Sequence, residues 1–188
     1  MIAHVQYVDE VVFFRKYRLL IEIMTVEVLN LIVRALVHFW DLDYKCFFFR
    51  NVDLCPTIEE YRMLMEFHNH LYRVYFPLRD DKVIPGLSKL LKIHNLTKFL
   101  EKNASELKWK LLEIELERKK SQHRALIKRD KLVSLGIFGF VLFPSLIGVI
   151  SLEGGTVFIE YENTQINHVV AILDETILTL NHCRKTGK

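Results

Sequence analysis

Glycine and proline are scarce in this sequence, 7 and 4 among 188 residues. That is too few turn formers for a many-stranded sandwich. Phosphate-cradling loops are missing too. There is no Walker pattern and no G-x-G-x-x-G, and Gly136-Ile137-Phe138-Gly139 lies inside an apolar run, where it serves packing. Cysteine is sparse and odd in number. Cys46, Cys55 and Cys183 are widely spaced, which fits a reducing compartment with buried thiols as the default. None of the three carries a local nucleophile signature. Neither sign of charge dominates: 26 Lys and Arg against 23 Asp and Glu leave a net charge of +3, too small to argue for nucleic acid by itself. The first residues include Asp9, Glu10, Arg15 and Lys16, so they do not read as a secretory leader. The abrupt start and end read as a fragment of a longer open reading frame.

What the chain does have is one long stretch without an ionisable side chain, Leu132 to Leu152 (LVSLGIFGFVLFPSLIGVISL). As a single helix it would cover roughly the 30 Å of a bilayer's hydrocarbon core. Lys119, Lys120, Arg124, Lys128, Arg129 and Lys131 precede it and Glu153, Glu160 and Glu162 follow it, the asymmetry of a membrane span with its N-terminal side in the cytoplasm. Pro144 argues the other way, because it lacks an N–H and disfavours helix at Phe143. The alternative is two shorter segments, Leu132–Phe143 and Pro144–Leu152, buried at the centre of a helical domain.

The rest reads as mainly helical. Apolar residues are 51% and charged residues 26%, a globular composition. Val12, Leu19, Ile23 and Val26, then Leu29, Ile32, Val33, Leu36 and Phe39, recur at helical intervals, with Thr25 or Asn30 as joints. Cys46-Phe47-Phe48-Phe49 suits a short strand. Thr57 and Glu60 form a capping box for a helix running to about Phe67. Residues 68–85 read as a loop, Gly86–Ile93 and Leu96–Glu101 as short helices, and Ser105–Lys131 as the longest helix. Gly154-Gly155 read as a turn, Thr156–Ile159 as a second strand, and Thr164–Cys183 as a closing amphipathic helix with Ile166, Val169, Val170, Leu173, Ile177 and Leu180 inward.

Chemistry finds little support. Asp41, Asp43 and Asp53 around the aromatic strand, with Asp174 and Glu175, are the best acidic constellation for two-metal phosphodiester chemistry, yet an integrase-like core also needs a five-stranded sheet. Helix-capping loop carboxylates are the plainer reading. His68 and His70 lack third and fourth ligands at zinc spacing. No catalytic residue, metal or cofactor is assigned, and the expectation is a non-enzymatic protein. The most suggestive feature is basic: Lys120, Arg124, Lys128 and Lys131 fall four, four and three residues apart, on one helix face. Such a row can neutralise nucleic-acid phosphates or rest on an anionic surface, and a solvated helix face would look the same.

Three segments carry a family resemblance. Leu36-Val37-His38-Phe39-Trp40-Asp41, then Cys46-Phe47-Phe48-Phe49, then Asp53-Leu54-Cys55-Pro56-Thr57-Ile58-Glu59-Glu60-Tyr61 resemble the opening of a plant domain of unknown function related to the plant mobile domain group. Members of that group occur in retroelement-derived proteins and in proteins labelled aminotransferase-like. Leu135–Pro144 is similar to that family's ALxIYGLVIFP segment and Ala171–Arg184 to its AILAETxxSLNxCR helix. Departures include His38, Asp43 and Asp174. The resemblance implies a mainly α fold: a single compact helical domain over 27–184, with one or two short β-strands (a small hairpin) and a central apolar helix pair broken at Pro144. Residues 1–26 form a helical lead-in and 185–188 a polar tail. It brings no catalytic residues. The functional expectation is a non-enzymatic domain from a plant mobile-element-derived protein, with nucleic acid or a chromatin-associated protein as partner and a nuclear location. The alternatives are a single-pass membrane protein anchored by 132–152 and a degenerate metal-dependent nuclease or transposase fragment using Asp41, Asp53 and Glu175.

Overall fold

The computed structural model describes residues 17, 21–22, 25–27, 29–64, 78–101, 105–118, 125–144, 148–164 and 168–187. The fold is mainly α with two small antiparallel strand pairs, in two compact units, each discontinuous in sequence. Unit 1 comprises Met1–Met24 and Phe76–Ile166; unit 2 comprises Thr25–Tyr75 and Asn167–Lys188.

Unit 2 begins with α1 (Asn30–Val37), which starts at the joint that Asn30 suggested. The hairpin β1 (Phe47–Phe49) and β2 (Val52–Leu54) follows, then α2 (Ile58–Leu64). Its last helix, here α7, is Val169–Thr186 and packs on both α1 and α2. Trp40 is the anchor, 1% exposed, with its Nε1 donating to Asn181 Oδ1 of α7 at 2.9 Å. Its ring meets Phe47 edge-on, with centroids 4.9 Å apart. The pleat divides the strand phenylalanines: Phe47 and Phe49 are half-buried on one face, while Phe48, on the opposite face, is exposed.

In unit 1 the elements are α3 (Asp80–Leu91), a 3₁₀ turn (Leu96–Phe99), β3 (Glu106–Lys108), α4 (Trp109–Arg118), α5 (Ala125–Ile137), β4 (Val149–Ser151) and α6 (Leu152–Thr164). Here the apolar run is taken apart. Its first residues finish α5, and a π-helical segment carries Phe138–Leu142. The Phe143 N–H bonds the Phe138 carbonyl at 2.9 Å, the wide i to i+5 closure of a π turn. Phe143 itself leaves the helical region (φ −129°, ψ 62°), as the residue before a proline must when the Pro144 ring crowds it. Beyond the break the described residues of Pro144–Leu152 form no second apolar helix, which corrects the expected helix pair. The chain instead enters β4, paired antiparallel with β3 in the register Glu106–Ser151, Leu107–Ile150 and Lys108–Val149. Leu135, Ile137, Phe138, Leu142, Phe143, Val149 and Ile150 are all buried. Among the described residues no helix is long and apolar enough to cross a membrane.

Two of the run's three glycines are there for close approach. A Cβ added at Gly136 would lie 2.6 Å from the Trp109 ring, and one at Gly139 would lie 2.6 Å from Ile150 Cγ2. Gly139 thus seats the strand β4 and not a facing helix.

Two local expectations are also revised. Gly154-Gly155 and Thr156–Ile159 are neither turn nor strand; they form α6, buried on every side from Gly154 to Ile159. The Ser151 hydroxyl accepts the Gly154 N–H at 3.1 Å, an N-cap that starts the helix at the end of β4. Burial of Val157, Phe158 and Ile159 then outweighs their strand preference. Helix α3 begins six residues before Gly86 and runs through Pro85, because Val83, Leu87 and Leu91 are buried along one face and offset the missing N–H.

Candidate interaction site

A concavity in unit 2 is built on the capped helix. Thr57 Oγ1 accepts the Glu60 N–H at 3.2 Å, and Glu60 Oε2 accepts the Thr57 N–H at 3.1 Å and its hydroxyl at 3.0 Å. This is the reciprocal capping box that the spacing implied. It aims α2 back along the hairpin and leaves a cleft of about 800 Å³ between β1–β2, α2 and α7. Phe47, Leu54 and Pro56 form one wall, Tyr61, Met63 and Leu64 another, and Thr176 and Leu180 the third. The apolar groups around it are open to solvent: Leu54 is 54% exposed, Met63 79% and Leu64 73%. Asp53 and Glu60 supply two carboxylates to the lining, and among the described residues no cationic side chain contributes to it.

Asp41 has a structural job nearby. Its carboxylate accepts the Tyr44 and Asp43 N–H groups, each at 2.8 Å, closing the turn that feeds β1. Those two bonds hold its pKa below the usual carboxylate value. The three cysteines are free thiols: Cys46 buried, Cys55 exposed and Cys183 half-buried, so the buried-thiol default holds for Cys46 alone. Asp174 is exposed on α7 and Glu175 half-buried beside it. Among the described residues no group of three or more His, Cys, Asp or Glu side chains could hold a metal ion. His68 and His70 lie outside the described residues.

The basic stripe is only partly in view. Lys120 and Arg124 lie outside the described residues, and Lys128 falls on α5 with its side chain outside them. Lys131 is placed: its Nζ lies 3.5 Å from Glu162 Oε2, whose side chain is 1% exposed, and the Tyr17 hydroxyl donates to Glu162 as well. Burial first, and that hydrogen bond second, push the Tyr17 phenol well above its usual pKa. Lys131 neutralises a buried carboxylate, which leaves it poorly suited to a phosphate.

Sequence reasoning missed β2, and with it the cleft. The signal was present but short: two residues, Arg50-Asn51, separate Phe47–Phe49 from Val52–Leu54, the loop length of the tightest hairpins. It also missed His168, fully buried just before α7, whose pKa burial lowers to about 4.

A family described as "Domain of unknown function (DUF7745)" matches the chain over residues 1–188. No curated protein and no solved structure matches it.

Proposed function

The chain belongs to the DUF7745 family of domains of unknown function, and from that premise we propose that it is a non-enzymatic interaction domain whose unit 2 cleft receives a helical segment of a partner protein. The observation that carries this is the solvent-open apolar wall of Leu54, Met63 and Leu64. A groove of this kind suits the apolar face of an amphipathic helix, read at i, i+3, i+4 and i+7. The partner helix carries Lys or Arg beside its apolar anchors, because the charged groups among the described lining residues are the carboxylates Asp53 and Glu60. The resemblance of Leu36–Asp41, Cys46–Phe49, Asp53–Tyr61, Leu135–Pro144 and Ala171–Arg184 to the plant mobile domain group supports an origin in a plant mobile element. That origin favours a chromatin-associated protein as the partner and the nucleus as the location.

The test is methyl NMR on the full chain with synthetic amphipathic helical peptides, one set flanked by Lys and Arg and one by Asp and Glu. Shifts at Met63, Leu64, Leu54 and Leu180 with the basic set, lost in Leu64→Asp, are the expected result. Equal response to both sets, or shifts confined to other methyls, would refute the proposal. A nucleic-acid partner has less support, since Lys131 is already engaged by Glu162. It would show instead as salt-dependent duplex binding abolished when Lys120, Arg124 and Lys128 become Glu.

A further inference from the structure

The hairpin places two thiols face to face. The register pairs Phe47 with Leu54, Phe48 with Asp53 and Phe49 with Val52. Carried one residue further it sets Cys46 opposite Cys55. The kind of pair follows from the backbone bonds. Phe48 N–H bonds the Phe39 carbonyl at 2.7 Å and the Cys46 carbonyl accepts from Asp41 N–H at 2.8 Å, so residues 46 and 48 spend these backbone bonds on the edge away from β2. Cys46 and Cys55 are therefore a non-hydrogen-bonded pair, the class in which Cα atoms approach to roughly 4.5 Å and side chains come closest. That separation falls within the roughly 4.4–6.8 Å that a disulfide spans. The neighbouring Cys55 thiol also contributes to the raised pKa of Cys46, in keeping with that pairing. We infer that Cys46 and Cys55 are a thiol–disulfide site, closing across the mouth of the hairpin when a low-molecular-weight disulfide is present.

The chemistry divides by exposure. Cys55 is open to solvent and lies in the cleft lining; Cys46 is 4% exposed. The Cys55 thiolate attacks one sulfur of glutathione disulfide, forming a mixed disulfide and releasing one glutathione thiolate. Cys46 then loses its proton to solvent and its sulfur attacks Cys55 Sγ, expelling the second glutathione. Two thiols and one glutathione disulfide become one protein disulfide and two glutathiones, so atoms and electrons balance. Burial, and next the Cys55 thiol, raise the Cys46 pKa, which suits it to the second, intramolecular step and not to the first.

The site is independent of the docking reading, since its test needs no partner. The reduced full chain is incubated with glutathione disulfide without denaturant and digested with trypsin, which cuts after Lys45, Arg50 and Arg62 and so separates the two cysteines. The expected product is a cross-link between Cys46–Arg50 and Asn51–Arg62, with an intact mass lower by two hydrogens and formation unchanged in Cys183→Ser. Cys46→Ser should stop at a glutathione adduct on Cys55. Should that variant fail to fold, Cys55→Ser, at an exposed position, should leave Cys46 unmodified under the same conditions. A wild-type chain that halts at the Cys55 adduct, pairs either cysteine with Cys183, or cross-links only in urea would overturn the assignment. So would a Cys46 that reacts at the wild-type rate without Cys55.

Discussion

Among the described residues, His168 is the group through which acidification from pH 7 to pH 4 should weaken the fold. It is 1% exposed, and burial alone lowers its pKa from 6.5 to about 4. The sign follows from proton counting. Between these two values the unfolded chain holds a proton on His168 that the folded chain does not, so stability rises with pH across that window and falls on acidification. Below about 4 both states are protonated and the effect is complete. A shift of this size corresponds to about 3 kcal/mol at 1.36 kcal/mol per pH unit. Against a total of about 5–15 kcal/mol for an ordinary domain, that is a large share. Urea denaturation at pH 7, 6, 5 and 4.5 would read it as a falling midpoint with an unchanged slope. Asp41, whose pKa is lowered by its turn, sheds its contribution only below the ordinary carboxylate value, mostly beneath this window. His168→Phe keeps a ring of similar size and removes the titration, so its stability should stay level from pH 6.5 to 4.5. A wild-type chain with a level profile, or a variant that falls as steeply as wild type, would refute the argument.

Other perturbations follow from named contacts. Gly139→Ala drives a methyl into Ile150 Cγ1 and Cγ2 and should destabilise by about 1–3 kcal/mol, and Gly139→Ala/Ile150→Ala, which removes both of those atoms, should cost less than the sum of the two single changes, measured by chemical denaturation. Thr57→Ala removes the cap of α2 and should cost about 1 kcal/mol locally, read as faster amide exchange at Glu60 and Tyr61. Trp40→Phe leaves Asn181 Oδ1 without its indole donor and should destabilise by about 1–3 kcal/mol, seen by thermal melting.

How far the sequence could be read depended on whether a signal was local. The Thr57–Glu60 box and the break at Phe143–Pro144 are both there, because each is enforced within a few residues by hydrogen bonding or sterics. Thr156–Ile159 misled for the opposite reason. Its β-branched and aromatic residues favour a strand in isolation, and only the Ser151 cap and burial from several directions make it helical. Beyond Pro144 the apolar composition gave burial correctly but not its form: a strand and a helix segment are alike in such a run until a partner, here Glu106–Lys108, is identified. The cleft was invisible for want of β2, three residues squeezed between Asn51 and Cys55. Lys131 shows the limit of face arithmetic. Helical spacing aligned it with Lys120, Arg124 and Lys128, yet a buried Glu162, thirty-one residues on, decides where its charge is used.

The internal fate of the Leu132–Leu152 run separates an interaction domain from a lipid anchor, and hydrogen exchange on the detergent-free chain measures it directly. Protection through α5 and the π segment up to Phe143, a lapse around Pro144, and renewed protection at Val149–Ser151 is the predicted pattern. Continuous helical protection across all twenty-one residues, obtained only when lipid or detergent is supplied, would contradict it.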